Sequence, residues 1–323
     1  MNILVTGSAG FIGFHLVKKL CSEIKNVKIL GIDNLNNYYD INLKKDRNKK
    51  LKKNKQFKFI RADIRNKAKL LKICKQNKVK IIIHLAAQAG VRYSIFNPST
   101  YFENNLLGTF NILEVAKDIK VKHLMIASSS SVYGSNSKFP LKEHYNTDTP
   151  LSFYAATKKS CEVLAHSYSN IFKTPITMLR FFTVYGTFGR PDMALFKFTK
   201  SIINKTKLNL FNGGDHMRDF TNIDDVCNIL LILKDKAPKN NIPFDIINLG
   251  GGKPKRLKYF LNLIEKNTSK KAKVRKLSMQ QGDVKKTVSC TNKLIKKTNY
   301  RHKTSLEKGI KEFVKWYIGY FKN

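Results

Sequence analysis

The order of apolar and polar segments constrains the fold of this chain more than any other feature of its sequence. Residues 2–6 (NILVT) predict a short buried strand, and a glycine-rich turn leads from it into a helix with Ile12, Leu16, Leu20 and Ile24 at four-residue spacing. The same alternation of a nearly all-apolar strand with a helix continues to about residue 181. Because strands that are apolar on both faces are typical of a parallel sheet covered on both sides, we predict an α/β fold with a doubly wound parallel sheet. Its strands are expected at 2–6, 27–32, 57–60, 79–84, 121–127 and 176–181, and its later helices near 41–53, 66–76, 98–118 and 152–172.

Beyond about residue 182 the pattern changes to shorter strands separated by glycine-rich turns at 213–214 and 250–252. Helices are expected near 192–204, 223–235, 256–267 and 304–320, and strands near 208–211, 245–249 and 273–277. We therefore predict a larger first domain over residues 1–181 and a smaller C-terminal α/β region over 182–323, with 216–250 as a segment that could partly return to the first domain.

The charge of the chain is strongly positive, since 61 Lys and Arg residues face only 22 Asp and Glu, a formal net charge of +39. One interpretation is a protein that binds nucleic acid or an acidic membrane surface. The other is a general bias towards lysine over solvated faces. The lysines run from end to end, for example at 44–55 and 270–276, and form no stripe interleaved with aromatic residues. This distribution favours the second interpretation, so we expect neither a specific nucleic-acid partner nor a membrane partner.

The five cysteines are scattered, odd in number and without CxxC spacing, so we expect neither a disulfide framework nor a metal site. No apolar run approaches the roughly 20 residues that cross a bilayer. The N-terminal MNILVTG turns polar too early for a secretion signal. Together these features predict a cytoplasmic protein.

The first strand and helix are joined by a turn in which glycines recur at every third position. Without side chains there, the backbone can approach a diphosphate, whose negative charge the helix N-terminus favours. Asp33 ends the second strand twenty residues after Gly13, where an acid accepts hydrogen bonds from a ribose and repels a 2′-phosphate. This pattern predicts a Rossmann-type site for NAD rather than NADP. The turn residues expected to bind it are Gly7, Gly10, Phe11, Ile12 and Gly13.

Two further segments are expected beside this site. Asp63 and Ile64 follow the third strand and could reach the adenine, although Asp63 could equally cap the next helix. Ala86 belongs to HLAAQAG (84–90), after the fourth strand.

Tyr154 and Lys158 form a YxxxK pair on the helix predicted near 152–172. Residues four apart share one face of a helix, so the phenol and the ammonium can face the same cleft. A neighbouring cation favours the phenolate, which could then act as a general base near neutral pH. Ser129 and Ser130 lie just after the fifth strand, where the carboxyl ends of parallel strands face a ligand. The sequence thus predicts a hydroxyl-bearing substrate held beside Tyr154.

With these motifs in this order, the chain resembles the extended short-chain dehydrogenases/reductases over essentially its whole length. The markers are TGSAGFIG, HLAAQAG, NNLLGT (104–109), SSSSVYG, YAATK and RDFTNIDDV (218–226). The segments 33–47, 86–98, 180–198 and 280–287 more specifically resemble the UDP-glucuronate 4-epimerases. That resemblance implies reversible C4 epimerisation of UDP-glucuronate to UDP-galacturonate through a 4-keto sugar with tightly bound NAD. It also implies a homodimer formed through the helices near 98–118 and 152–172.

The resemblance also assigns roles to individual residues. Tyr154 would be the base, Ser129 and Ser130 would lie beside the sugar, and Lys158 would bind the nicotinamide ribose. The residues expected to bind the substrate are Arg92, Thr183, Arg190, Arg218 and Asp283. The chain departs from the family at Ser289-Cys290, where Ala-Asp is usual, and at Thr187-Phe188, where Pro-Trp is usual; both departures are expected to lie away from the chemistry.

Several alternatives remain open at this point. Related dehydratases and decarboxylases carry acidic residues where this chain has Ser130 and Ser131, and serine is a poor general acid at neutral pH. Arg92 and Arg190 are both candidates for the uronate carboxylate, because a guanidinium binds a carboxylate through two parallel hydrogen bonds. Other possible functions are 4-epimerisation of UDP-glucose or a UDP-N-acetylhexosamine, decarboxylation of UDP-glucuronate, and a non-enzymatic NAD sensor or RNA-binding protein.

Overall fold

The computed structural model describes residues 1–280 and 282–321. The strands in chain order are β1 (Asn2–Thr6), β2 (Lys28–Asp33), β3 (Phe57–Arg61), β4 (Ile81–His84), β5 (His123–Ser129), β6 (Ile176–Phe181), β7 (Thr183–Tyr185), β8 (Lys207–Phe211), β9 (Met217–Arg218), β10 (Phe220–Asn222), β11 (Phe244–Leu249), β12 (Lys255–Arg256) and β13 (Lys273–Leu277). The α-helices are α1 (Phe11–Glu23), α2 (Ile41–Leu51), α3 (Lys67–Gln76), α4 (Tyr93–Phe96), α5 (Pro98–Tyr101), α6 (Gly108–Asp118), α7 (Phe153–Phe172), α8 (Ala194–Ile203), α9 (Ile223–Leu233), α10 (Leu257–Thr268), α11 (Asn292–Thr298) and α12 (Leu306–Phe321).

Seven parallel strands form the central sheet in the order β11-β6-β5-β4-β1-β2-β3. Side chains of β1 alternate between the two faces, as a strand buried on both sides requires. Ile3 and Val5 pack in one apolar cluster with α1 and α9, while Leu4 packs in the other with residues of α3, α6 and α7. The predicted α/β fold with a covered parallel sheet is confirmed.

The C-terminal part of the chain contributes both to the central sheet with its helices and to a second core. Strand β11 extends the central sheet beside β6, and α9 packs against α1, so this stretch lies with the N-terminal elements. Helices α8, α10 and α12 contribute to a separate aromatic core that includes Phe196, Phe260 and Phe313. Three short two-stranded pairs, β7 with β10, β9 with β12 and β8 with β13, are separate from the central sheet. The division at residue 181 stays a prediction.

The expected helix near 98–118 is interrupted. Residues Phe102–Leu107 form a π-helical segment between α5 and α6. This segment turns the Asn105 side chain inward, where its amide nitrogen donates to the Thr157 hydroxyl of α7 at 3.0 Å and its amide oxygen accepts from the Gln88 N–H at 2.8 Å. Extra-wide turns of this kind occur mostly at functional sites. Among the described residues, no helix is both long and apolar enough to cross a membrane.

Candidate active site

The glycine turn before α1 is shaped for close approach of a ligand to the backbone. Gly7 has a φ of +71°, which favours glycine, and a Cβ on Gly13 would lie only 2.1 Å from the Gly7 carbonyl oxygen. Helix α1 follows Gly10 directly, so its first N–H groups face the cavity that the turn lines. Donors at a helix N-terminus bind anions such as a diphosphate.

Asp33 ends β2 at the edge of the same cavity and is 9% exposed. One carboxylate oxygen accepts from the Ala9 N–H at 3.1 Å and the other from the Leu35 N–H at 2.8 Å. Burial raises the pKa of Asp33, whereas these two hydrogen bonds oppose that effect. Each oxygen retains a lone pair for a ribose hydroxyl, so the residues present fit the adenosine half of NAD.

Asp63 behaves differently from the other predicted cofactor residues, because it does not line the cavity. Its carboxylate accepts hydrogen bonds from the Arg65 guanidinium and from the Asn34 side chain. Helix α3 is capped by Asn66, whose side chain accepts from the Lys69 N–H, so the interpretation of Asp63 as a helix cap is wrong. Ile64 does line the cavity. A contact of Asp63 with adenine stays a prediction.

Helix α7 carries Tyr154 and Lys158 on its cavity-facing side, one turn apart. Ser152 fixes the start of the helix, because its hydroxyl accepts from the Ala155 N–H at 3.1 Å. The Lys158 ammonium is almost fully buried and donates to the Ala127 carbonyl at 2.8 Å, which holds its position. The half-buried Tyr154 ring meets the edge of Tyr101 at a centroid distance of 6.0 Å. This arrangement places a phenol and a desolvated cation beside the same ligand.

The serine run lies opposite α7, at the end of β5. The Ser129 hydroxyl accepts from the Ser131 N–H at 3.1 Å, and Ser129, Ser130 and Ser131 all line the cavity. Ser128 also lines the cavity, and its hydroxyl donates to Glu162 at 2.6 Å. Hydroxyl groups, not carboxyl groups, therefore surround the space in front of Tyr154 on this side.

The predicted arginines line the same cavity, and two of them have acidic partners. Arg190 donates through Nε and Nη2 to the two carboxylate oxygens of Asp192, the first at 3.0 Å. Arg92 donates to Asp283 at 3.3 Å. Burial lowers the pKa of Arg218, which donates to the Met217 carbonyl at 3.1 Å. The arginines are thus held in place by the protein before any ligand arrives.

All predicted site residues except Asp63 line one cavity of about 1040 Å³. The structure therefore brings together groups that are as far apart in the chain as Gly7 and Asp283. The members of this set are Gly7, Gly10, Phe11, Ile12, Gly13, Asp33, Ile64, Ala86, Arg92, Ser129, Ser130, Tyr154, Lys158, Thr183, Arg190, Arg218 and Asp283. Their roles in binding and catalysis stay predictions.

Sequence reasoning missed two polar residues of the cavity, Tyr38 and Lys197. Tyr38 donates to Asp192 at 3.2 Å, and burial together with this carboxylate raises the pKa of Tyr38 to about 12. Lys197, on α8, lines the cavity, and burial lowers its pKa. Both lie within segments on which the family resemblance rests, but a lysine among 61 cationic residues and a tyrosine in a polar loop gave no separate signal.

Comparisons with known proteins give a consistent result. The family described as GDP-mannose 4,6 dehydratase matches residues 4–313. The UDP-glucuronate 4-epimerase of Thermodesulfobacterium geofontis is 43% identical, covering 97% of this chain and 95% of that protein. A probable UDP-glucuronate 4-epimerase of Rhizobium meliloti is also 43% identical, over 98% of this chain and 97% of the relative.

A solved structure gives the same result for the fold. The UDP-glucuronic acid 4-epimerase from Bacillus cereus, in complex with UDP-glucuronic acid and NAD, superposes with a TM-score of 0.93. It is 35% identical, and the match covers 99% of this chain and 100% of that one. Since the family match and these relatives span nearly the full length of the chain, the chain belongs to the GDP-mannose 4,6 dehydratase family of extended short-chain dehydrogenases/reductases.

Proposed function

We propose that the chain is an NAD-dependent UDP-glucuronate 4-epimerase, an isomerase that interconverts UDP-glucuronate and UDP-galacturonate. The observation that carries this proposal is the convergence of Tyr154, Lys158 and Ser129 on the cavity lined by the glycine turn and the arginines. The relatives named as UDP-glucuronate 4-epimerases, and the solved complex with UDP-glucuronic acid and NAD, support it.

Tyr154 acts as the base and then as the acid at the C4 hydroxyl of the sugar. NAD, when bound, supplies the site that accepts hydride from C4 and later returns it. The Tyr154 phenolate takes the hydroxyl proton as the 4-keto sugar forms. After the sugar has rotated to present its other face, Tyr154 gives the proton back. Ser129 holds the hydroxyl towards Tyr154, and Arg218 retains the diphosphate end while the sugar rotates. The same bound cofactor serves every cycle, so none is consumed.

Lys158 is placed on the same face of α7 as Tyr154, where its charge favours the phenolate form of that residue. The Lys158 residue is 4% exposed, so its charge is poorly screened by water. A nearby cation stabilises an ionised phenol, and each unit by which it lowers a pKa corresponds to about 1.4 kcal/mol. The hydrogen bond to Ala127 fixes that charge on the cavity side of α7.

The serines after β5 account for the outcome of the reaction. Oxidation at C4 of a uronate gives a β-keto acid that loses carbon dioxide readily, and dehydration would need an acid and a base near C5 and C6. Ser130 and Ser131 line the cavity at the positions where related decarboxylases and dehydratases carry acids. Because a serine hydroxyl is a poor acid at neutral pH, the 4-keto sugar is returned to a hexuronate.

The charges of the cavity favour an acidic sugar. Eight Lys and Arg side chains line it against three Asp, so a substrate with a carboxylate in addition to its diphosphate is better neutralised than a neutral sugar. We assign the carboxylate to Arg190, which lines the same cavity as Tyr154. Burial opposes the charge of Arg190, whereas the neighbouring Asp192 carboxylate raises its pKa. Its Nη1 group is not used by Asp192. Arg92 instead pairs with Asp283, at the proposed nucleotide end.

We also propose a homodimer and a cytoplasmic location. Large apolar side chains are exposed on α6, α7 and the π-helical segment; Phe102 is 55% exposed and Val163 58%. A second copy of the chain, packing the same helices against these, would cover them. All five cysteines are free in the structure, as is usual in a reducing compartment.

The decisive experiment incubates the purified protein with UDP-glucuronate, without added cofactor, and identifies the product by NMR. UDP-galacturonate would support the proposal in full. UDP-xylose would show that the chain is a decarboxylase and refute the argument from the serines. Epimerisation of UDP-glucose or a UDP-N-acetylhexosamine alone would move the assignment to a neutral sugar. Bound NAD without turnover of any UDP-sugar would indicate a sensor, and RNA binding that resists added salt would indicate an RNA-binding protein.

A further inference from the structure

The loop between β7 and α8 carries Arg190 and is held from behind by two helices of the sheet layer. Its three carbonyl groups at residues 187–189 all accept hydrogen bonds from side chains of α1 and α2. His15 Nε2 donates to the Thr187 carbonyl at 2.8 Å. The Arg47 Nη2 group donates to the Phe188 carbonyl at 2.6 Å and to the Gly189 carbonyl at 3.3 Å.

The other side of the Arg47 guanidinium reaches the glycine turn. Its Nη1 group donates to the Ala9 carbonyl at 3.0 Å and to the Tyr39 hydroxyl at 2.7 Å. The N–H of Ala9 donates in turn to Asp33. The Ala9 residue is therefore held between the acid proposed for the ribose and a guanidinium that also holds the substrate loop.

Arg47 is fully buried, yet its four acceptors are all neutral oxygens, and its Nε has no partner. Asp33 attracts this cation through space, but no carboxylate among the described residues hydrogen-bonds to it, and a buried cation without such a partner is unfavourable. The glycine turn is built to receive an anionic diphosphate, which would supply negative charge. The loop side is under strain as well, because Phe188 adopts a left-handed φ of +51° that non-glycine residues rarely adopt.

The front of the same loop belongs to the substrate cavity. Arg190 and Asp192 face it, and Tyr38 reaches Asp192 from the segment that follows β2. A shift of the 187–189 backbone would move Arg190 directly. The hydrogen bonds thus form a continuous path from Asp33 through Ala9 and Arg47 to the proposed carboxylate site.

We propose that Arg47 is a positioning residue that couples occupancy of the NAD cradle to the placement of Arg190, so that NAD and a UDP-uronate each strengthen binding of the other. The inference rests on the proposed function, since it concerns the same two ligands. Coupling of this kind is reciprocal and typically about 5- to 150-fold in affinity. Its consequence is that the cofactor is held more firmly while a UDP-uronate is in the site.

The test measures the affinity of apo-protein for NAD by equilibrium dialysis, with and without saturating UDP-glucuronate, and takes the ratio of the two dissociation constants. For the wild type we expect a ratio of about five or more. For Arg47→Met we expect a ratio near one, because methionine fills the space but bonds neither segment. The matched control is Lys50→Met. Lys50 lies on the same helix as Arg47, and its exposed ammonium is 5.7 Å from the centre of the Phe188 ring, so this variant removes a nearby cation and should keep the wild-type ratio.

The ratio is insensitive to a general loss of affinity, which affects both measurements equally. A wild-type ratio in Arg47→Met would overturn the inference, as would a ratio near one in the wild-type protein. Arg47→Lys keeps the charge but not the planar guanidinium, so its ratio should also be near one. A wild-type ratio in Arg47→Lys would attribute the coupling to charge alone and overturn the role of the Arg47 hydrogen bonds. If Arg47→Met fails to fold, Arg47→Lys and Tyr39→Phe test the inference instead. Tyr39→Phe removes one of the four acceptors of Arg47, so its ratio should fall below that of the wild type, and a wild-type ratio in both variants would overturn the inference. Failure of the wild type to epimerise UDP-glucuronate is a separate result and counts against the proposed function.

Discussion

Tyr154 and Tyr133 are both close to the serine run, but their surroundings give them different roles. Tyr154 lines the cavity beside Lys158, whereas Tyr133 is 3% exposed and donates to the Asn248 amide oxygen at 2.7 Å. Burial raises the pKa of Tyr133 to about 12. Only Tyr154 is therefore placed to exchange a proton with a substrate.

Exchanging each tyrosine for phenylalanine tests this distinction. Tyr154→Phe removes the base and should lower kcat by about 10²- to 10⁴-fold while leaving NAD bound. Tyr133→Phe removes one buried hydrogen bond and should reduce the free energy of unfolding by about 1 kcal/mol with turnover close to wild type. Steady-state kinetics and urea unfolding of both variants are the measurements. Comparable turnover in the two variants would remove Tyr154 from the mechanism.

Arg190 is the residue on which the choice of sugar depends. Arg190→Lys keeps a cation but loses the fork, so we expect kcat/KM for UDP-glucuronate to fall by about tenfold, equivalent to about 1.4 kcal/mol, and that for UDP-glucose to fall much less. Arg92→Lys is the matched control and should affect both sugars alike. Selectivity that changes in Arg92→Lys and not in Arg190→Lys would exchange the two assignments.

At the level of whole elements, the turn between β1 and α1 shows how closely backbone packing limits the sequence. A Cβ on Gly13 would lie 2.1 Å from the Gly7 carbonyl oxygen, whereas a Cβ on Gly319 of α12 would meet nothing within 4 Å. The same chemical change, glycine to alanine, should therefore have opposite effects in these two helices.

Gly13→Ala should displace the turn and weaken NAD binding severely in a chain that still folds. Gly319→Ala should leave NAD binding intact and stabilise α12 by up to about 1 kcal/mol, because alanine loses less backbone entropy in a helix. Dialysis against labelled NAD and thermal unfolding distinguish the two effects. Normal NAD binding by Gly13→Ala would exclude the turn as the diphosphate site.

The elements that the sequence predicted are those with strong periodicity. Strands such as β1 and β4 are buried on both faces, so their apolar runs stand out, and Ser152 marks the start of α7. The π-helical segment was missed because the apolar spacing around it still resembles a helix. The short strand β9 has only two residues, too few for any pattern. Arg47 was missed because its partners, Ala9 and Phe188, are distant in sequence and offer only backbone oxygens.

The molecule as a whole buries four histidines, and at three of them, His15, His84 and His123, burial changes the pKa strongly. Burial lowers the pKa of His15 to about 4, of His84 to about 3 and of His123 to about 4. These side chains are neutral in the fold, but each takes up a proton on unfolding below the ordinary histidine pKa of 6.5. The free energy of unfolding is therefore unaffected by these groups above that pH, and it decreases as the pH falls towards 4, because the unfolded chain then binds protons that the fold does not.

His123→Gln isolates one of these protons at a position away from the cavity. The imidazole of His123 bonds to the Lys234 carbonyl and the Thr177 hydroxyl, and glutamine can also donate and accept. Between about pH 6 and 5 we expect the free energy of unfolding of the variant to fall less steeply than that of the wild type, by about 1.4 kcal/mol per pH unit. Urea unfolding at several pH values gives both slopes, and identical slopes would contradict the buried neutral imidazole.

Assembly is the remaining property of the whole molecule that its surface predicts. Phe102 and Val163 lie on neighbouring elements, the π-helical segment and α7, which pack against each other, and both are more than half exposed. A stable interface buries about 800 Å² of each partner, so charges at its centre should prevent it.

We expect light scattering to give a dimer for the wild type and a monomer for Phe102→Glu combined with Val163→Glu. Val274→Glu changes a similarly apolar side chain, 40% exposed, on β13 of the C-terminal region, and should remain dimeric. A wild-type monomer, or a double variant that still dimerises, would place the contact elsewhere, because no dimer could bury two carboxylates on each copy at this face without a large loss of affinity.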